Sequence, residues 1–175
     1  ENNIKSGNSL IDKDYYDSQL DFGDEKKIKP FSWQRGFPDI FKQGGFDAVI
    51  GNPPYGALFN EIQKQYLVSH YKTVEGRYDN FELFIENGIT LLKKDGLLGF
   101  IIPSPFLTNL YSRKLREHII TSCALKEIVS FSMPVFEDPT VHTCIILLSS
   151  TPEQGNKTII KNQIDSIEKL KSTDS

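Results

Sequence analysis

From residue 46 onward, apolar stretches alternate with turn and cap residues in a way that predicts alternating strands and helices. Phe46-Asp47-Ala48-Val49-Ile50 reads as a short strand that stops at Gly51-Asn52-Pro53-Pro54, because two prolines remove two backbone donors and forbid a continued ladder. Asn60 with Gln63 three residues on predicts a capped helix, with Ile62, Tyr66, Leu67 and Tyr71 on one face. A second helix starts at Asn80 and carries Phe81, Phe84, Ile85, Ile89 and Leu92 as its buried stripe. Lys93-Lys94-Asp95-Gly96 supplies cations and a glycine stop at its end. Leu97 to Ile102 follows as a strand whose continuous apolar character predicts cover on both faces. Ser112 then caps a helix through about Ser122, with Leu115 and Ile119 inward and Arg113, Lys114 and Arg116 outward.

Leu125 to Phe131 and Val141 to Leu148 read as strands around a loop, Ser132 to Thr140, in which Pro134 and Pro139 bracket Val135-Phe136-Glu137-Asp138. Thr158 to Ile164 reads as one more short strand before a polar tail, and Asp12 to Lys29 as a surface excursion. The whole is an α/β sheet protein with helices on both faces.

At 175 residues and 38% hydrophobic, the chain is long enough for one domain with a core that needs no staples. Cys123 and Cys144 stand apart without metal-ligand spacing and read as free thiols of a reducing cytoplasm, and His70, His118 and His142 share no ligand spacing. The longest apolar run, Leu97 to Leu107, is broken by Pro103 and Pro105 and is far short of the roughly 20 residues of a bilayer helix. Glu1-Asn2-Asn3-Ile4-Lys5 has no export pattern and reads as a cut end. A net charge of −3 argues against a uniformly basic nucleic-acid binder, so any grip on DNA is local or comes from elsewhere.

Asn52-Pro53-Pro54-Tyr55 follows a strand in an α/β pattern, where such sheets place their ligands. The prolines stiffen the loop and leave carbonyls that no neighbouring strand is positioned to claim. Asn52 adds a side-chain oxygen, and Tyr55 a flat face for a planar ring. An amino group on an aromatic ring satisfies this arrangement. Alkylating such a nitrogen requires drawing its lone pair out of the ring while positive charge grows, and paired acceptors stabilise that charge as an oxyanion hole does with the sign reversed. No general base is needed. A base inside a duplex must first be extruded, and aromatic stacking then holds it.

Phe46 to Gly56 resembles motif IV of the amino-group DNA methyltransferases, specifically the gamma-class adenine enzymes related to TaqI that occur in type IIG restriction-modification proteins. Pro30-Phe31-Ser32-Trp33 with Phe37-Pro38-Asp39-Ile40-Phe41 is similar to the type IIG branch. Tyr78-Asp79-Asn80-Phe81-Glu82-Leu83-Phe84 resembles motif V, Gly96 to Pro103 motif VI, and Val135-Phe136 motif VIII. The resemblance implies a partial Rossmann-like sheet of an S-adenosylmethionine-dependent methyltransferase acting on adenine in duplex DNA. It implies that Asn52 and the Pro53 carbonyl accept from the target amino group, that Pro54 stiffens their loop, that Tyr55 stacks on the flipped base and that Phe136 covers it. For the cofactor it implies Phe84 against the adenine ring, Asn8, where relatives have an acid, at the ring's amino group, and Asn52 as a further contact. Glu137-Asp138-Pro139 stands where the family often has a lysine.

The family's Gly-rich cofactor loop precedes motif IV, and the 51 residues ahead of Asn52 hold no Gly-x-Gly turn between a strand and a helix. Residues 1–150 therefore read as the second half of a catalytic domain and residues 151–175 as a polar linker towards a target-recognition domain. The expectations that follow are inactivity and no S-adenosylmethionine binding in isolation, contact with DNA through a longer protein, and an open sheet edge at Phe46 to Ile50 suited to self-association. Two alternatives stay open: the same loop chemistry suits a protein glutamine amide, and the chain is otherwise a structural module of a larger assembly.

Overall fold

Strand pairing organises the chain. β1 (Phe46–Gly51) lies parallel to β2 (Leu92–Pro103), β4 (Thr143–Ser149) runs antiparallel to both β2 and β3 (Ala124–Phe131), and β5 (Ile159–Ile164) closes the far side parallel to β3. The spatial order is β1-β2-β4-β3-β5. The computed structural model describes residues 3–16, 28–56, 59–74, 76–136 and 141–172. Glu137-Asp138-Pro139 and residues 17–27 of the expected surface excursion lie outside them. Among the described residues, β1 pairs on one side only, with β2, so it forms an edge of the sheet.

Two short helices, α1 (Trp33–Gly36) and α2 (Pro38–Lys42), precede β1; α3 (Glu61–His70) and α4 (Asn80–Leu91) link β1 to β2; and α5 (Arg113–Ser122) links β2 to β3. The main core joins Phe81 and Ile85 of α4, Leu115 and Ile119 of α5, and Leu98, Phe100, Ile102, Cys144, Ile146 and Leu148 of the central strands. α4 and α5 therefore cover the same face. The opposite face is thinly covered: Leu97 is 42% exposed, and Gly99 and Ile101 are half-buried. The uninterrupted apolar run of β2 thus reflects one fully packed face and one partly open face.

Asn60 and Gln63 form the expected capping box, with Gln63 N–H donating to Asn60 Oδ1 at 2.8 Å and Asn60 N–H to Gln63 Oε1 at 3.0 Å. Ile62, placed by periodicity on the inner face, is 47% exposed. The second helix ends one residue before Leu92 rather than at Lys93 to Gly96. Leu92 is taken by pairing with Phe46, and the pairing resumes only at Ala48 with Leu97, so Lys93 to Gly96 bulges out between, with Asp95 at φ 63°. An ion pair between Lys93 and Asp47 spans the bulge. Arg116, expected outward, instead donates to the carbonyls of Phe106 and Asn109, each at 2.7 Å. The short strand expected at Thr158 to Ile164 is β5, and within residues 151–175, expected as a polar linker, a final helix, α6 (Ile167–Ser172), follows it.

A second cluster packs Leu10, Ile11 and Tyr15 of the N-terminal segment against Tyr66, Leu67 and Leu83. It is pinned by polar bonds: Tyr66 Oη donates to Asp14 Oδ1 at 2.7 Å, and Tyr71 Oη to the Leu10 carbonyl at 3.0 Å. Among the described residues, no helix is long and apolar enough to cross a membrane, and no three His, Cys, Asp or Glu side chains cluster to hold a metal.

Candidate active site

The Asn52–Tyr55 loop leaves the carboxyl end of β1 at Gly51, whose partner across the sheet is Phe100. A β-carbon on Gly51 would stand 3.1 Å from the Phe100 ring, so glycine lets the strand end lie close against that ring. Pro53 is buried, whereas Asn52 and Pro54 are exposed and Tyr55 is 38% exposed. Gly56 turns the chain at φ 74°, and its N–H donates to Asp79 Oδ1 at 2.8 Å. The same oxygen caps α4 through Asn80 N–H at 2.6 Å. One carboxylate thus anchors the loop to the start of α4. Among the described residues, neither the Asn52 side chain nor the Pro53 carbonyl has a hydrogen-bond partner.

The loop separates two cavities. One, of about 220 Å³, is lined by Asn52, Pro53 and Pro54 together with Phe84, Trp33 and Ser9. The other, of about 360 Å³, is lined by Tyr55 with Tyr78, Glu82, Phe106, Asn109 and Tyr111. Asn52, Pro53 and Pro54 therefore line one space and Tyr55 the other, with the loop between them.

Residues 1–136 match the family described as Eco57I restriction-modification methylase. The chain belongs to this family. It is 38% identical over 135 residues to RM.MjaORFECS2P of Methanocaldococcus jannaschii, assigned as a type II restriction enzyme and methyltransferase, an alignment covering 77% of this chain and 11% of that protein. It is 35% identical over 153 residues to the type II restriction enzyme and methyltransferase RM.Eco57I of Escherichia coli, covering 84% of this chain and 14% of that one. The chain thus spans less than a sixth of either relative's length. Its fold is that of a solved Listeria monocytogenes protein described as a class I S-adenosylmethionine-dependent methyltransferase, at TM-score 0.55 and 20% identity over 68% of this chain and 37% of the other.

The family's fold implies S-adenosylmethionine, and the smaller cavity fits its flat end: Phe84 is half-buried there, with Trp33 as a second aromatic wall and Ser9, Asn52 and Asn87 as polar groups. The Ser9 carbonyl accepts from Asn87 Nδ2 at 3.0 Å and Trp33 Nε1 at 3.2 Å, which fixes that wall. Of the residues expected around a cofactor, Asn52 and Phe84 share this cavity. Asn8 does not line it; its Oδ1 accepts from Leu10 N–H at 3.1 Å, a local turn that presents Ser9 instead. Phe136 is 40% exposed and lines neither cavity, whereas Val141, at the other end of its loop, reaches the larger one.

Sequence reasoning missed Ser9, Asn87, Glu82 and Tyr111 as lining residues. Only Glu82 left a local signal, an acid at the third position of a helix that does not close a capping box. Its carboxyl is raised above the usual range, chiefly by burial, against a hydrogen bond from Ser112 that lowers it. Cys123 and Cys144 are buried and their thiols are pushed up to about 11, which makes them inert core residues rather than nucleophiles.

Proposed function

We propose that the protein carrying this chain transfers a methyl group to the exocyclic amino nitrogen of adenine in DNA, within a restriction-modification enzyme. The observation that carries this reading is the pair of oxygens at Asn52 and Pro53, held on a proline-stiffened loop and left without internal partners between two cavities. In this reading Asn52 Oδ1 and the Pro53 carbonyl accept the two amino hydrogens. They draw the nitrogen lone pair out of the ring and stabilise the positive charge that grows there. Pro53 and Pro54 keep the acceptors fixed, so little reorganisation accompanies the reaction. Tyr55 stacks on the extruded base, with Phe106 and Tyr111 as further apolar walls of the same cavity. Phe136 is assigned the open side of the base once DNA is bound.

S-adenosylmethionine, when bound, supplies a methyl group on a sulfonium; Phe84, Asn52 and Ser9 are the residues here that would hold it, with Asn8 acting through the turn that presents Ser9. The chain spans less than a sixth of the length of the two relatives compared above. We infer that residues 1–150 form the second half of the catalytic domain and that activity, cofactor affinity and DNA contact belong to the longer protein.

The test is Asn52→Ala in the full-length protein, with 6-methyladenine quantified in digested DNA. The expected loss is about 10²- to 10³-fold in kcat with folding unchanged, as for removal of one oxyanion-hole partner. Methylation at the parent rate overturns the assignment.

A further inference from the structure

Two buried polar atoms in the Tyr55 cavity are not accounted for by the reading above. Tyr78 Oη and Glu82 Oε2 are both buried without a hydrogen-bond partner, and both residues line this one space. Glu82 is 3% exposed and sits at the third position of α4, where a glutamate ordinarily turns back onto the cap backbone. Instead its Oε1 accepts from Ser112 Oγ at 2.8 Å. Ser112, at the N-cap of α5, makes no side-chain capping bond of its own. The Ser112 hydroxyl is thus spent on Glu82 rather than on its own helix, which fixes one carboxyl oxygen and leaves the other without a partner on a residue that lines the cavity. A buried polar atom without a partner is costly, and a ligand carrying the complementary group removes that cost.

The position relative to the loop is equally defined. Asp79, one turn before Glu82, holds Gly56, the residue after Tyr55, so Glu82 and the Tyr55 ring are referred to the same helix start. We propose that Glu82 is a base-reading residue whose Oε2 hydrogen-bonds N1 on the Watson–Crick edge of the adenine stacked on Tyr55. The proposal rests on the adenine reading above.

N1 of adenine is an acceptor, so the carboxyl must donate. Burial favours its neutral form most; the Asp79 charge acts in the same direction, while the hydrogen bonds from Ser112 and the Asp79 backbone and the charge of Arg116 oppose it, and Arg77, Tyr55, Tyr78 and Tyr111 are the other titratable groups on the cavity. No covalent bond changes: the proton stays on Glu82, and the amino lone pair stays available for transfer. Guanine carries a hydrogen on N1, which would meet the acid's hydrogen and be rejected. The role is recognition, so the effect falls on KM more than on kcat.

The experiment uses the full-length protein and a duplex carrying its modified sequence, located by sequencing DNA from expressing cells. Adenine at the target is compared with 1-deazaadenine, in which N1 is a C–H. The parent protein is expected to lose about 10- to 100-fold in kcat/KM on 1-deazaadenine. Glu82→Leu is expected to lose a similar factor on adenine and little more on 1-deazaadenine, whereas Glu82→Gln, whose amide still donates, keeps the preference for adenine. Equal rates of the parent on both duplexes overturn the inference whether or not any variant folds. So does Glu82→Gln behaving like Glu82→Leu, or a Glu82→Leu loss that is the same on both duplexes relative to the parent. These outcomes with 6-methyladenine as product leave the adenine reading standing; a different methylated base overturns both.

Discussion

The sheet face under α4 and α5 and the flank where the N-terminal segment meets α3 are both buried, but by different means. The first is aliphatic and strand-borne: Leu98, Ile102, Cys144, Ile146 and Leu148 point one way from neighbouring strands and bury almost completely. The second relies on Tyr66 and Tyr71, whose hydroxyls donate to Asp14 and to the Leu10 carbonyl. Apolar packing has no preferred angle, so it supplies stability; directional bonds fix where one segment lies against another. The candidate site lies at the seam, with its loop leaving the sheet and Ser9 brought from the flank.

The largest expected effect breaks the aliphatic side. Ile146 is 1% exposed in the central strand β4, and Ile146→Ala should cost about 2–5 kcal/mol through lost transfer energy and a residual cavity. A denaturant midpoint shift with unchanged m-value measures it. A loss under about 1 kcal/mol would mean that this face is not the main source of stability.

Next is the buried carboxylate that ties α4 to the chain after α3. Glu86 Oε1 accepts from Lys72 N–H at 2.8 Å, and Oε2 from Thr73 N–H at 2.9 Å and Thr73 Oγ1 at 2.6 Å. Glu86→Gln keeps the shape but turns an NH₂ towards at least one of these donors, at a cost of about 1–3 kcal/mol. Glu86→Gln as stable as the parent would show that these bonds contribute nothing net.

These cases show what sequence reading can reach. The Asn60–Gln63 box, the β1 strand and the Asn52–Tyr55 loop are legible because their causes lie within a few residues: a cap, two prolines, a short apolar run. The end of α4 is not, since Leu92 is captured by Phe46 across the sheet, a choice that local pattern leaves open. The Ser112 hydroxyl illustrates the same limit, because its partner Glu82 lies 30 residues away and wins over the expected cap. Asn8, expected at the cofactor ring, does not line the cavity: a two-residue turn places Ser9 there, which local pattern does not specify.

A pH effect follows from Glu82. Its folded carboxyl is raised above the ordinary glutamate range, so the folded state holds its proton more tightly than the unfolded chain does. The contribution is therefore complete below the unfolded value and is lost as pH rises through the folded one. Stability should fall across that window, and Glu82→Gln, which does not titrate, should flatten the slope when denaturant midpoints are compared between acid and neutral pH. An unchanged slope in Glu82→Gln would assign the fall to another group.

The smallest effect tests the flank itself. Tyr66 Oη donates to Asp14 Oδ1 and accepts from Asp12 N–H at 3.1 Å, while its ring stacks on His70 with centroids 3.8 Å apart. Tyr66→Phe keeps the stack and the packing and removes only the two bonds. Both partners are partly open to water, so the expected cost is about 0.5–1.5 kcal/mol, well below that of Ile146→Ala. The informative readout is local: amide exchange should rise along residues 8–16 while the central strands keep their protection. Faster exchange in β2 and β4 as well would show that the flank and the sheet unfold as one unit. The polar bonds would then belong to the stability of the whole rather than to the placement of Ser9 beside the Asn52 loop.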